Sequence, residues 1–319
     1  MKVSVLGTGR WGSFITWYLS HEKHDVVEWG REGGKSYTVL KETGKNEYVT
    51  LNSSVTLTSD LKFAVEFADL IIISVLSNSL KEVLLSAKKY GADKKDIILC
   101  MKGLEEDTGL RLSEVAVSCG YDKNKVAVWI GPGHIEEFTK GKPNCMVIDS
   151  NNRDLTVKLA DALRSDLIRF YYGDDLIGNE IGAAAKNVIG IAAGMLDGGG
   201  YSTLKGPLMA RGAREIGRLI KAMGGNELSA YGLCHLGDYE TTLFSPFSQN
   251  RRYGEHFIKG EKFEKSAEGV KTVKALILLG KKYNEELPIC NAVYRILYEN
   301  ANPMETFNTL FHRSSRTEF

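Results

Sequence analysis

The chain has 319 residues, more than one compact core ordinarily holds, so length favours two domains or one large α/β unit. With 43% hydrophobic and 25% charged residues it has apolar side chains enough to build cores, which excludes disordered and fibrous classes. Its 41 basic and 40 acidic residues leave a net charge of +1, which removes the global basic field that grips nucleic acid or an anionic membrane; neither a nucleic-acid partner nor membrane insertion is expected.

In chain order, β-branched runs alternate with amphipathic stretches. Strands are predicted at Val3 to Leu6, Val26 to Trp29, Val55 to Leu57, Leu70 to Val75, Ile97 to Met101, Val126 to Ile130 and Cys145 to Ile148. Helix-length segments lie between several of them, at Trp11 to Ser20, Asp60 to Phe67 and Ser79 to Tyr90. Nearly continuous apolar strands separated by helices predict a parallel-rich, doubly wound sheet covered on both faces. From Glu180 onward helical periodicity replaces strand runs. The expected division is an α/β domain over residues 1–176 and an all-α domain over 177–319, with Gly173-Asp174-Asp175 as the turn near the boundary. The polar tail His312 to Phe319 is expected to fray.

Five scattered cysteines without a C-x-x-C pair argue for a reducing compartment and against a disulfide framework or a zinc site, and the six histidines lack metal-ligand spacing, so no metal is expected. The opening MKVSVLGTGRWG lacks the apolar stretch and cleavage site of a secretory signal, which fits a cytoplasmic protein.

Gly7-Thr8-Gly9-Arg10-Trp11-Gly12 is G-x-G-x-x-G set between an apolar strand and a helical run. A dinucleotide site needs this context: one glycine turns the chain, the next admits a pyrophosphate, the third lets helix pack on strand, and the helix N-terminus faces the anion. The first domain therefore reads as a Rossmann domain. Glu28 and Arg31, near the end of the second strand, give a mixed signal: a carboxylate suits a ribose 2′-hydroxyl, a guanidinium a 2′-phosphate. The reading leans to Arg31 beside the adenosine ribose and leaves NAD or NADP undecided.

Lys102, in Met101-Lys102-Gly103, and Gly131-Pro132-Gly133 both follow strands, at carboxyl ends where α/β sheets bind ligands. In Glu180 to Met195, Lys186 shares a helix face with Gly182 and Gly190. Glycines cost about 1 kcal/mol each inside a helix, so something must approach this face closely. Either Lys186 points into that contact and can exchange a proton, or the contact is a helix crossing and Lys186 snorkels out. Further on, Asp238, Thr241, Thr242, Ser248, Gln249, Asn250, Arg251 and Arg252 gather donors suited to phosphate, and Ser248 also suits a helix N-cap.

Assembled, these motifs resemble the soluble bacterial NAD(P)-dependent glycerol-3-phosphate dehydrogenases over nearly the whole chain. The matching pieces are the opening G-x-G-x-W-G, K-G at 102–103, G-P at 131–132, A-x-K-N at 184–187, G-D at 237–238 with T-T after it, S-x-N-R at 248–251, A-E-G-V at 267–270 and L-P-I at 287–289. The resemblance implies an α/β N-terminal Rossmann domain plus an all-α C-terminal domain, interconversion of dihydroxyacetone phosphate and sn-glycerol 3-phosphate for phospholipid synthesis, and a homodimer. It implies catalytic roles for Lys186, the proton carrier, for Lys102 and for Asp238. It implies cofactor contacts from Gly7, Gly9, Arg10, Trp11, Gly12, Arg31, Lys102, Ile135, Gln249 and Glu268. Substrate contacts are implied for Lys102, Gly131, Gly133, Lys186, Asn187, Asp238, Ser248, Gln249 and Asn250.

Two positions depart from the family pattern. Gln249 stands where the family carries arginine, and Arg251 or Arg252 could replace that charge; Gly133-His134-Ile135 stands where the family has S-F-A. A related two-domain reductase of ketopantoate or hydroxy acids, or a catalytically weak cofactor-binding sensor, stays open at this point.

Overall fold

The computed structural model describes residues 1–312 and 317; most of the tail expected to fray lies outside the described residues. The chain divides into two compact units, residues 1–102 with 110–180, and residues 103–109 with 181–319.

The first unit holds an eight-stranded sheet: β1 (Lys2–Leu6), β2 (Asp25–Trp29), β3 (Thr56–Thr58), β4 (Leu70–Ile73), β5 (Asp96–Leu99), β6 (Val126–Ile130), β7 (Asn144–Ser150) and β8 (Ile168–Tyr172). The order is β3-β2-β1-β4-β5-β6-β7-β8, every pair parallel except β6 with β7. Around it run α1 (Arg10–His21), α2 (Lys35–Thr43), α3 (Leu61–Phe67), α4 (Leu80–Lys88), α5 (Leu112–Ser118), α6 (Ile135–Phe138) and α7 (Arg153–Leu163). Every side chain of β4 and β6 is buried, as strands covered on both faces must be. On the α1 face, Phe14, Ile15, Tyr18 and Leu19 pack with Val3, Val5, Val26 and Ile72 in one apolar core. The Tyr18 hydroxyl donates to the Leu163 carbonyl at 2.6 Å, so the polar atom that this side chain brings into the core is satisfied.

Strand β8 has no counterpart among the seven predicted strands. Only Ile168 and Phe170 of its five residues are buried, while Arg169, Tyr171 and Tyr172 face outward at the end of the sheet, a pattern too short and polar to read as an apolar run. Arg169 lies over the Tyr171 ring at 4.8 Å, Arg153 over the Tyr172 ring at 5.3 Å, and the Tyr172 hydroxyl donates to Asp161.

The second unit is helical: α8 (Leu176–Gly198), which starts in the first unit, then α9 (Lys205–Ala222), α10 (Gln249–Lys259), α11 (Glu268–Tyr283), α12 (Pro288–Tyr298) and α13 (Pro303–Phe311). Glycines let α8 and α10 touch backbone to backbone. A Cβ on Gly194 would collide with the Arg251 carbonyl, one on Gly254 with the Ile191 carbonyl, and one on Gly198 would stand 2.9 Å from the Glu255 carbonyl oxygen. Glu215 of α9, fully buried, accepts hydrogen bonds from the backbone N–H groups of Ile289 and Cys290 and so caps α12. Among the described residues no helix is long and apolar enough to cross a membrane.

Candidate active site

In the first unit the turn between β1 and α1 can be built only from glycine at two places. Gly7 has φ +126°, and a Cβ there would collide with the Ser74 carbonyl; a Cβ on Gly12 would collide with the Gly7 carbonyl. Gly9 is different: it has ordinary extended backbone, and open space lies where its Cβ would be. It is the N-cap of α1, no side chain caps the helix, and no acidic residue occupies the first turn. Uncapped N–H groups and the positive end of the helix dipole therefore stand beside the open space at Gly9, an arrangement that suits a pyrophosphate.

The flanking side chains divide. One guanidinium nitrogen of Arg10 donates to both carboxylate oxygens of Glu136, at 2.8 and 2.7 Å, and the group lies over the Tyr48 ring, so its charge is already matched. Trp11 is half-buried against Phe14 and Phe138. Arg31, two residues beyond β2, is exposed beside Glu82 at 3.3 Å. Glu28 corrects the sequence reading: it lies fully buried inside β2, accepting a hydrogen bond from Ser13, and burial pushes its carboxyl up to about 8. It cannot meet a ribose hydroxyl, because the strand continues to Trp29 and Glu28 points beneath α1 instead of past the strand end. The Ile135 side chain belongs to the apolar core, which leaves its backbone to serve a ligand.

At the carboxyl ends of β5 and β6, the Lys102 ammonium donates to the Gly131 carbonyl at 2.5 Å. Gly131 and Gly133 take φ of +132° and +153°, where side chains are rarely tolerated, and a Cβ on Gly131 would stand 3.0 Å from the Met146 backbone. These three predicted site residues are thus neighbours in the fold.

In the second unit the glycines flanking Lys186 admit one loop. Gly182 faces the Cβ of His235, and Gly190 faces the methyl of Thr242. Between them the Lys186 ammonium lies 2.8 Å from the Asp238 carboxylate and donates to the Thr242 hydroxyl at 2.7 Å. The two charged side chains are 8% and 1% exposed, so Lys186 does not snorkel out. Thr241 donates a short hydrogen bond to the same carboxylate, fixing its plane. His235 is buried beneath: Nδ1–H donates to the Gly182 carbonyl, and Nε2 accepts from the Tyr239 hydroxyl. Burial holds its pKa down to about 4, so it is neutral near pH 7 and adds no charge beside Lys186.

At the next residue of the helix, Asn187 accepts from the Asn250 side-chain amide at 3.0 Å, and Asn250 accepts from the Gly269 N–H at 3.0 Å. This ties α8, α10 and the start of α11, where Glu268 is the first residue, into one polar seam. Ser248 caps α10 by accepting from the Arg251 N–H. Gln249 donates to the Phe247 carbonyl, while its Oε1 is buried with no hydrogen-bond partner. Arg251 does not replace a missing charge here, because its guanidinium is spent on Asp197, Glu255 and the Ser245 carbonyl; Arg252 lies over the Phe263 ring. Thr242, which the sequence offers only as one of several donors suited to phosphate, here accepts from the Lys186 ammonium.

Residues 2–156 match the family described as NAD-dependent glycerol-3-phosphate dehydrogenase N-terminus, and residues 175–308 match that family's C-terminus. A glycerol-3-phosphate dehydrogenase [NAD(P)+] from Fusobacterium nucleatum is 35% identical, the match covering all of this chain and 98% of the relative. The crystal structure of glycerol-3-phosphate dehydrogenase from Coxiella burnetii superimposes with a TM-score of 0.90 at 28% identity, over 98% of this chain and 99% of that one. A ketopantoate reductase from Ralstonia eutropha, at 16% identity and TM-score 0.62 over 96% of this chain and all of its own, shares the fold.

Proposed function

We propose how this chain works from a plain premise: it belongs to the NAD-dependent glycerol-3-phosphate dehydrogenase family. It is an NAD(P)-dependent oxidoreductase acting on the CH–OH group of sn-glycerol 3-phosphate, with dihydroxyacetone phosphate as the ketone of the same pair. Gly7, Gly9 and Gly12 hold the dinucleotide phosphates at the start of α1, with Trp11 and Arg31 beside them, Arg10 bracing the turn through Glu136, and Glu268, Gln249 and the Ile135 backbone as further contacts. When bound, the nicotinamide takes a hydride from the alcohol carbon or gives one to the ketone carbon.

The chain's own part is proton transfer and charge. During reduction Lys186 gives the Nζ proton to the carbonyl oxygen and is left as a neutral amine, which regains a proton from solvent; oxidation reverses each transfer. Asp238 and Thr242 aim Nζ, and Lys102, backed by Gly131, stabilises the negative charge that develops on the oxygen. Asn187, Asn250, Gln249 and the backbone at Ser248 and Gly133 receive the phosphorylated end, so that end meets neutral donors. The protein works as a cytoplasmic homodimer supplying glycerol 3-phosphate for phospholipid synthesis, with no nucleic-acid partner.

The observation that carries this reading is the buried Lys186–Asp238–Thr242 cluster, which a mere cofactor sensor has no use for. The experiment is oxidation of NADH and NADPH with dihydroxyacetone phosphate, run beside ketopantoate, for wild type and Lys186→Met. Turnover with the phosphorylated ketone is expected, and its loss in the variant with cofactor binding intact. A variant keeping more than about a tenth of the wild-type rate removes Lys186 from the proton path, and preference for ketopantoate overturns the substrate.

A further inference from the structure

Glu28 is a carboxyl group placed where charge is least tolerable. Its side chain shares the face of the sheet that α1 covers, in register between Val5 of β1 and Leu57 of β3, and it is fully buried. From α1 it is faced by Ser13, whose hydroxyl donates to Oε1 at 2.8 Å, and by Thr16. None of these four neighbours titrates, and α3, which also packs on β2, covers the opposite face through Ala64. Among the described residues no cation pairs with the carboxyl.

Two buried polar atoms in this place lack a hydrogen-bond partner, Glu28 Oε2 and Thr16 Oγ1. A proton on Oε2 would serve both, and it is the form that burial without a cation favours. With Oε2 protonated, the acid donates to the threonine hydroxyl while Oε1 goes on accepting from Ser13. Burial, only partly offset by the neighbouring hydroxyls, raises the carboxyl to about 8, and with no cation beside it the buried group favours the neutral form. Ser13 follows Gly12 directly, so the acid is fastened to the first turn of the helix whose uncapped N-terminus stands beside the open space at Gly9.

We propose that Glu28 is a positioning residue that, as a neutral carboxylic acid, holds the first turn of α1 for dinucleotide binding, and that loss of its proton weakens that binding. The proposal rests on the reading of Gly7 to Gly12 as the dinucleotide site. A carboxylate here would carry an uncompensated negative charge beneath the turn that must receive phosphate, and would draw water toward an apolar seam. By linkage, an anion bound at the turn must strengthen the hold of Glu28 on its proton by the same factor.

The test is a direct titration of NADH into the protein without substrate, at steps from about pH 7 to about pH 9.5. The wild-type dissociation constant should be level up to about pH 8 and then rise by about fivefold or more. Glu28→Gln keeps the shape and both hydrogen bonds but cannot ionise, so its dissociation constant should match wild type at pH 7 and stay flat above. Ser13→Ala removes the donor that favours the carboxylate, so the rise should move to higher pH. An equal rise in wild type and Glu28→Gln overturns the proposal; should that variant fail to fold, an unmoved midpoint in Ser13→Ala overturns it. Failure of wild type to bind NADH even at pH 7 is a separate result, which sinks the dinucleotide site and this proposal with it.

Discussion

The Lys186 ammonium and the Asp238 carboxylate stand 2.8 Å apart, nearly sealed from water, and each is the other's counter-ion. Removing one charge strands the other in a medium that solvates it poorly. Asp238→Asn should therefore cost about 3–5 kcal/mol of stability and lower kcat by about a hundredfold or more, since Nζ loses its aim. The double variant Lys186→Met with Asp238→Leu should recover most of the melting temperature and none of the turnover. Calorimetry beside steady-state kinetics checks both; a double variant as unstable as Asp238→Asn contradicts the pairing argument.

Gln249 brings no charge to a place assigned to a phosphate, and Arg251 is occupied elsewhere. Gln249→Arg should lower the KM for dihydroxyacetone phosphate by about tenfold, the worth of one added charge-assisted hydrogen bond. An unchanged KM in that variant takes Gln249 out of the phosphate site.

Arg31 is exposed and paired with Glu82. A guanidinium there favours a 2′-phosphate, so Arg31→Ala should raise the KM for NADPH several-fold more than that for NADH. Glu82→Ala, which releases the arginine, should move the ratio the other way. Equal effects on both coenzymes mean that Arg31 does not read the ribose.

His235 is buried neutral with a pKa near 4, below the ordinary histidine value of about 6.5. The unfolded chain takes up a proton between those two values while the folded chain does not, so stability is full above about pH 6.5, falls as pH drops toward 4, and levels below. The span corresponds to about 3 kcal/mol. Denaturant titrations across that window measure it; a flat profile means the buried imidazole is protonated in place.

The alternating strands, the glycine turn and the helical second half were legible because each leaves a local mark: an apolar run, a G-x-G-x-x-G, a period of 3.6. Glu28 misled because spacing from Gly12 locates a residue along a strand but not the face it presents. One residue earlier or later, the same carboxyl would point to the opposite face of the sheet. The glycines around Lys186 showed that something comes close, yet two different partners use that helix: the 235–242 loop at Gly182 and Gly190, and α10 at Gly194 and Gly198. Only the three-dimensional course of the chain separates them. Strand β8 was missed because an end strand needs just one apolar flank.

That end strand also bears on how copies of the protein keep apart. The last strand of an open sheet presents unpaired backbone groups that can template another chain. Here the strand is only five residues long, and Arg169 and Arg153 spread cations across its two outward tyrosines. A second molecule laid edge to edge would bring like charges together over rings that already hold them, so the sheet ends in a rim whose charge opposes its own extension.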